Sequence, residues 1–392
     1  MTRNPVKDQV AIVGVGSTGF SRSDDRSPLA LGLAAATAAI RDAGLTAADV
    51  DGIVALGEPG APAPHTFAGA LGLTDVTHFS RPPPVVMFSI VDAVNAIHAG
   101  SCDTVLVVSA MLRLPWASRS AANDPYRRSL VGGGGGAARG WPESIAMAPA
   151  YAAWASRYLH EHGASRELFG RIAINSRTNS TGNPLAAIRT PMTMDDYLAA
   201  RMVRDPLCML DMDLPVDGAD AFVLTTAERA AALPQPPVLV HAITVGLPER
   251  GDEDQLPSLA RHGQHVVVEA LRAKSDLWLD NVDVYYPYDG FTIITVGWIE
   301  NAGWCKPGEA ERFVAEHWDH DAGRLVIDGR IPVNTHGGSL SEGGTRGTGH
   351  VREAVLQLRG QAGARQVAGA RTALVTSGGF FFNAQGAVLR AA

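Results

Sequence analysis

Only 3 cysteines stand in this 392-residue chain, at positions 102, 208 and 305, without CxxC or histidine-rich spacing. That spacing argues against a disulfide framework and a zinc site, so reduced, mostly buried thiols are expected. Charged residues make up 19% of the chain, and the net charge of −7 contains no block of like charges and no basic stripe interleaved with aromatics. Nucleic acid is therefore not an expected partner. Long hydrophobic runs are also missing. The opening MTRNPVKDQV is polar, and the apolar run Ala11 to Val15 is too short for a signal core or a membrane span. A cytoplasmic protein is expected.

What is present is glycine (42), proline (24) and 46% hydrophobic residues, the profile of a compact α/β protein with many short loops. Ala11 to Val15 reads as a strand, Leu29 to Asp42 as a helix ended by Gly44, and Gly52 to Leu56 as a second strand. Val85 to Ala99 follows as a helix closed by Gly100, and Asp103 to Ser109 as a strand buried on both faces. The order recurs: a helix over Gln264 to Ala273, a strand over Val282 to Tyr285, the glycine-rich loop Asn334 to Gly349, a helix over Val351 to Leu358, and a strand over Thr372 to Ser377. Two pseudo-equivalent halves result, 1–235 and 236–392, each a mostly parallel sheet flanked by helices. An inserted loop region is expected at about 111–206. It holds Gly132 to Gly136, a run that orders only at high entropic cost.

Gly14, Gly16 and Gly19 match the GxGxxG pattern of dinucleotide sites, but the helix starts nearly ten residues late, so a sharp strand-to-loop turn is expected instead. His160-Glu161-His162 looks like a metal clip. On a helix, however, positions i and i+2 face different ways, so no metal site is expected there. Phe380-Phe381-Phe382 suits either a core strand end or a partner surface.

Three segments carry a family resemblance: Asp217-Gly218-Ala219, Tyr288-Asp289-Gly290-Phe291 and Asn334-Thr335-His336-Gly337-Gly338. With the terminal Ser377-Gly378-Gly379 turn they resemble thiolases, specifically the branch containing the sterol-carrier-protein thiolases. The resemblance covers nearly the whole chain and implies a five-layer αβαβα fold with mixed, mostly parallel sheets.

In that family a nucleophilic cysteine sits at the N-terminus of the first half's central helix, where the dipole lowers its pKa. Here Pro82-Pro83-Pro84 stands there, and proline offers neither nucleophile nor amide donor. The family's Gly-His-Pro loop reads Gly343-Gly344-Thr345, and the oxyanion turn begins with Tyr288. This combination looks like the thiolase-like retro-aldolases of steroid side-chain breakdown.

The resemblance implies cleavage of a 3-hydroxyacyl-CoA to a ketone or aldehyde and a shorter acyl-CoA, without an acyl-cysteine. Tyr288 and His336 would be catalytic. Asp289, Phe291, Asn334, Gly337, Gly338, Gly344, Gly378 and Gly379 would line the substrate, the last two offering backbone amides to the enolate. A phenol with a pKa of about 10 is a poor base at neutral pH, so Tyr288 needs a neighbour such as His336. One position departs from those aldolases, where a second tyrosine usually matches Gly344; Tyr286, His350 or a water could serve instead. No cofactor or metal is implied, since the CoA thioester is itself the substrate. A homodimer and an OB-fold partner with a zinc ribbon are implied. The alternative is a non-catalytic thiolase-like subunit that binds acyl-CoA or scaffolds that partner.

Overall fold

The computed structural model describes residues 4–58, 60–112, 148–248, 258–380 and 383–392. Its first half opens with strand β1 (Val10–Ser21), helix α1 (Pro28–Asp42), β2 (Gly52–Ala55), α2 (Pro64–Leu71), β3 (His78–Ser80), α3 (Val86–His98) and β4 (Thr104–Leu112). Ser27 caps α1 by accepting the Ala30 amide, with Pro28 at the first helical position. After helices α4 (Ala148–His162), α5 (Arg166–Ser180) and α6 (Met194–Leu198) come the short strands β5 (Met202–Arg204) and β6 (Leu207–Cys208), then the long β7 (Asp217–Thr226).

A one-turn helix α7 (Ala227–Ala230) leads to the second half: β8 (Val238–Gly246), α8 (Gly263–Lys274), β9 (Val284–Tyr286), α9 (Thr292–Ala302) and α10 (Ala310–Glu316). A small sheet of β10 (Trp318–Asp319), β11 (Arg324–Ile327) and β12 (Ile331–Pro332) precedes α11 (Thr348–Leu358), β13 (Thr372–Ser377) and β14 (Ala384–Ala391).

Nine strands lie in the order β3-β2-β4-β7-β1-β8-β14-β13-β9. β1, β2, β3 and β4 run the same way and only β7 is inverted between β4 and β1. Likewise β8, β9 and β13 run together, with β14 inverted between β13 and β8. The halves meet where β1 pairs antiparallel with β8 at Ala11–Leu239 and Ile12–Val238. Each half is thus mostly parallel, and the inverted strand holds the same place in both.

Burial sorts the helices into layers. Leu31, Ala35 and Ala39 of α1 pack on Val13, Leu106 and Val223. Val86, Ile90 and Val94 of α3 share one core with Val351 and Val355 of α11 and with strand residues of both halves, including Val107, Phe222, Val240 and Val375. Val267 and Leu271 of α8 and Trp298 of α9 cover the far face. The result is the five-layer αβαβα arrangement.

Two expectations need correction. The stretch expected as an inserted loop region contains, in its described part, the two fifteen-residue helices α4 and α5; Gly132 to Gly136 lie outside the described residues. α5 buries Leu168, Phe169, Ile172 and Ala173 in its first half and Asn175, Ser176, Asn179 and Ser180 in its second, so the apolar stripe breaks off midway and the rest of the inward face is polar. Nor does the chain turn sharply after Val15. β1 runs on to Ser21, and a side chain at Gly14 or Gly16 would meet the α1 carbonyls of Ala39 and Ala35 at 2.2 and 2.1 Å. Those glycines let strand and helix backbones touch.

Candidate active site

The sequence around 334–349 folds as a buried loop because it is tied down from two sides. Asn334 takes a left-handed φ of 52°, and its side-chain amide donates to the Pro287 carbonyl at 2.9 Å. Asn179 of α5 donates to the carbonyls of Val333 and Asn334 from the other side. Gly338 has φ 58°, and a Cβ there would fall 1.9 Å from the Asp289 carboxylate. Only glycine fits, so the backbone closes directly on the acid.

Asp289 is wholly buried, and four internal donors share its carboxylate. They are the Ser339 amide at 2.6 Å, the Leu340 amide at 3.3 Å, the Ser176 hydroxyl at 3.1 Å and His350 Nε2 at 3.1 Å. Such a set fixes both carboxylate oxygens in place. Expected at the substrate, Asp289 instead organises the loop and fixes one nitrogen of His350.

His350 lies in the first turn of α11. Its ring centroid stands 5.7 Å from that of Tyr288 and 4.7 Å, edge-on, from that of His336. Tyr288 is 8% exposed; its carbonyl accepts from Thr295, and its ring covers Gly290 closely. The two residues expected to be catalytic therefore share a neighbour that the sequence offered only as a substitute for a missing tyrosine. Tyr286, the other substitute, is fully buried in the central layer with its hydroxyl on Thr335 at 3.0 Å, and burial pushes its phenol well above the ordinary value.

Behind His350 lies a cluster that sequence reasoning missed. Arg352 is buried between Asp220, at 2.5 Å and 2.6 Å from the two carboxylate oxygens, and Glu342 Oε1. Asn183 also donates to that Glu342 oxygen at 2.7 Å. Among the described residues Glu342 Oε2 has no hydrogen-bond partner, and it faces His336 Nε2 at 3.9 Å. Burial, reinforced by His350 and two arginines, drives the His336 pKa far down, while burial raises the Glu342 carboxyl. An aspartate inside the apolar run of β7 was the legible signal.

Other expected residues are placed as follows. Phe291 stacks on Tyr151 with ring centroids 4.3 Å apart. Gly337 sits against Ser180, and the Gly344 amide donates to the Leu214 carbonyl at 2.8 Å. The Gly378 carbonyl accepts from Trp298, and the Gly379 amide donates to the Asn383 side chain at 3.0 Å. As an enolate donor, Gly379 would have to give up that bond. Phe380 is buried against Tyr151 and His262; Phe381 and Phe382 lie outside the described residues.

At the N-terminus of α3, Val85 takes the capping position after the three prolines. The Val86 amide donates to the Arg346 carbonyl and the Met87 amide to Gln385 Oε1, both at 3.0 Å. Burial, then neighbouring carboxylates, push the Cys102 and Cys305 thiols up to about 12. Burial raises Cys208 as well, so these thiols stay protonated. Two cavities open elsewhere: one of 210 Å³ bounded by His162, His262, Val296 and Phe380, and a polar one of 480 Å³ bounded by Arg324, Arg330, Thr335 and Arg365. Neither is lined by Tyr288 or His336.

Fold and site together define a thiolase-type protein without a thiolase nucleophile. Residues 254–391 match the family described as thiolase C-terminal domain-like. The chain is 32% identical to the 17-hydroxy-3-oxo-4-pregnene-20-carboxyl-CoA lyase of Mycobacterium tuberculosis, over 94% of this chain and 96% of that one. It is 33% identical to the steroid side-chain-cleaving aldolase of Thermomonospora curvata, over 94% of each. The solved Ltp2-ChsH2(DUF35) aldolase superposes with a TM-score of 0.85 at 29% identity, covering 98% of both chains. The chain belongs to the thiolase superfamily, in the family of these steroid side-chain-cleaving aldolases.

Proposed function

We propose that this protein is an acyl-CoA carbon–carbon lyase, cleaving a 3-hydroxyacyl-CoA with a bulky, steroid-like side chain by retro-aldol chemistry. The observation that carries the reading is the buried Asp289–His350 pair beside Tyr288, in a fold whose nucleophile position is proline. Tyr288 takes the β-hydroxyl proton. His350, oriented through Nε2 by Asp289, is the imidazole that makes the phenol a competent base. As the O–H electrons become the carbonyl, the Cα–Cβ bond breaks and its electron pair passes to the thioester enolate. Protonation at Cα then gives the shorter acyl-CoA. Amides of the Gly378–Gly379 turn serve the enolate oxygen once Gly379 leaves Asn383.

The division into halves at 235/236 belongs to this reading and is supported by the mirrored strand order. A homodimer through β3 is supported by an edge strand that leaves Phe79 69% exposed. The DUF35 partner named in the Ltp2-ChsH2(DUF35) aldolase supports a partner subunit here too, which the family resemblance implies to be an OB-fold with a zinc ribbon. A cytoplasmic setting is supported by three unpaired cysteines; among the described residues no helix is long and apolar enough to cross a membrane.

Incubation with a β-hydroxyacyl-CoA bearing a tertiary alcohol, with and without the partner subunit, tests the proposal by ketone release. Tight thioester binding without cleavage would favour the non-catalytic subunit, the reading to which Gly344 and Pro82–Pro84 lend weight.

A further inference from the structure

We propose that Glu342, His336 and His350 form a buried proton relay that returns the substrate's hydroxyl proton to the enolate carbon, an inference that rests on the lyase reading above. Retro-aldol cleavage neither gains nor loses a proton overall: one leaves the oxygen and one arrives at Cα. A group near the cleaved bond must hold the proton between the two events.

The geometry supplies one. Glu342, His336, His350 and Asp289 are all fully buried. Glu342 Oε1 is pinned by Arg352 and Asn183, which leaves Oε2 directed at His336 Nε2, 3.9 Å away. Both His336 nitrogens, His350 Nδ1 and Glu342 Oε2 lack hydrogen-bond partners among the described residues. Unpaired buried polar atoms are costly, and four of them in one cluster are difficult to account for by packing alone. A shift of about 1 Å, or a single bridging water, completes the 3.9 Å gap between His336 and Glu342. The proton passes from Tyr288 to His350, which Asp289 holds through Nε2, and on through His336 to the Glu342 carboxylate. It returns by the same route after the carbon–carbon bond has broken. Arg352 and Asp220 hold the acid end in place without carrying the proton.

Relay residues would act without touching the substrate, so the test reads a proton rather than binding. Propionyl-CoA is incubated with the protein and its partner in D2O, and deuterium at Cα is followed by mass spectrometry. Wild type exchanges, whereas Glu342→Gln and His336→Gln exchange about 100-fold more slowly with unchanged propionyl-CoA affinity. His336→Gln removes no ring hydrogen bond, so it carries the test should Glu342→Gln fail to fold. Variants that fold and exchange at the wild-type rate overturn the relay and leave the lyase standing. Wild type that binds propionyl-CoA but neither exchanges nor cleaves overturns both.

Discussion

The two central helices, α3 and α11, hold equivalent places in the two halves, yet their N-termini are chemically opposite. Three prolines, Val85 and Val86 lead into α3, and its first amides are spent on Arg346 and Gln385. At α11 lie two histidines, three carboxylates and an arginine, all buried and linked to one another through contacts of a few ångströms. In a thiolase the first of these ends carries the nucleophile. Here the buried acid–histidine cluster lies at the second, which teaches that equivalent helix ends of one fold can carry unlike chemistry.

The contrast can be broken most severely at Arg352. Arg352→Met leaves Asp220 and Glu342 as buried acids without their cation, and should lower unfolding free energy by about 3–5 kcal/mol in chemical denaturation. An unchanged denaturation midpoint would mean that the cluster is not the charge-bearing core described above. Next is Gly338→Ala, which forces a side chain into the Asp289 carboxylate at positive φ. It should cost about 1–3 kcal/mol and also slow cleavage, because the acid that orients His350 is displaced. Stability loss with normal turnover would separate the loop from the chemistry. The smallest effect is expected at the other helix: Val85→Cys should leave ketone release unchanged and yield no acyl-cysteine in intact-mass spectra. A thioester adduct there would show that the first half retains more of the thiolase site than its prolines suggest.

Much of the architecture was legible because its signals are local. Gly44, Gly100 and Gly360 all have positive φ just past the helices they were expected to end. Thr372 to Ser377 is a strand with the bounds expected of it. Helix α5 was harder to read, since its apolar stripe stops at Ile174 and its buried Asn175 and Asn179 serve a loop carbonyl more than 150 positions away. The site divides in the same manner. Tyr288, Asp289 and Asn334 to Gly338 could be found as short motifs. The pairing of Asp289 with His350 spans 61 positions and that of Asp220 with Arg352 spans 132, so only folding discloses them. Gly14 and Gly16 misled because close strand-helix packing and a sharp turn call for the same small residue.

The central claim is that a phenol held beside an imidazole–carboxylate pair drives cleavage without any covalent intermediate. Steady-state turnover of Tyr288→Phe on a tertiary β-hydroxyacyl-CoA, with affinity for the substrate measured alongside, tests it most directly. The account predicts a loss of about 10²–10⁴ in kcat with binding and melting temperature preserved; turnover equal to wild type would contradict it.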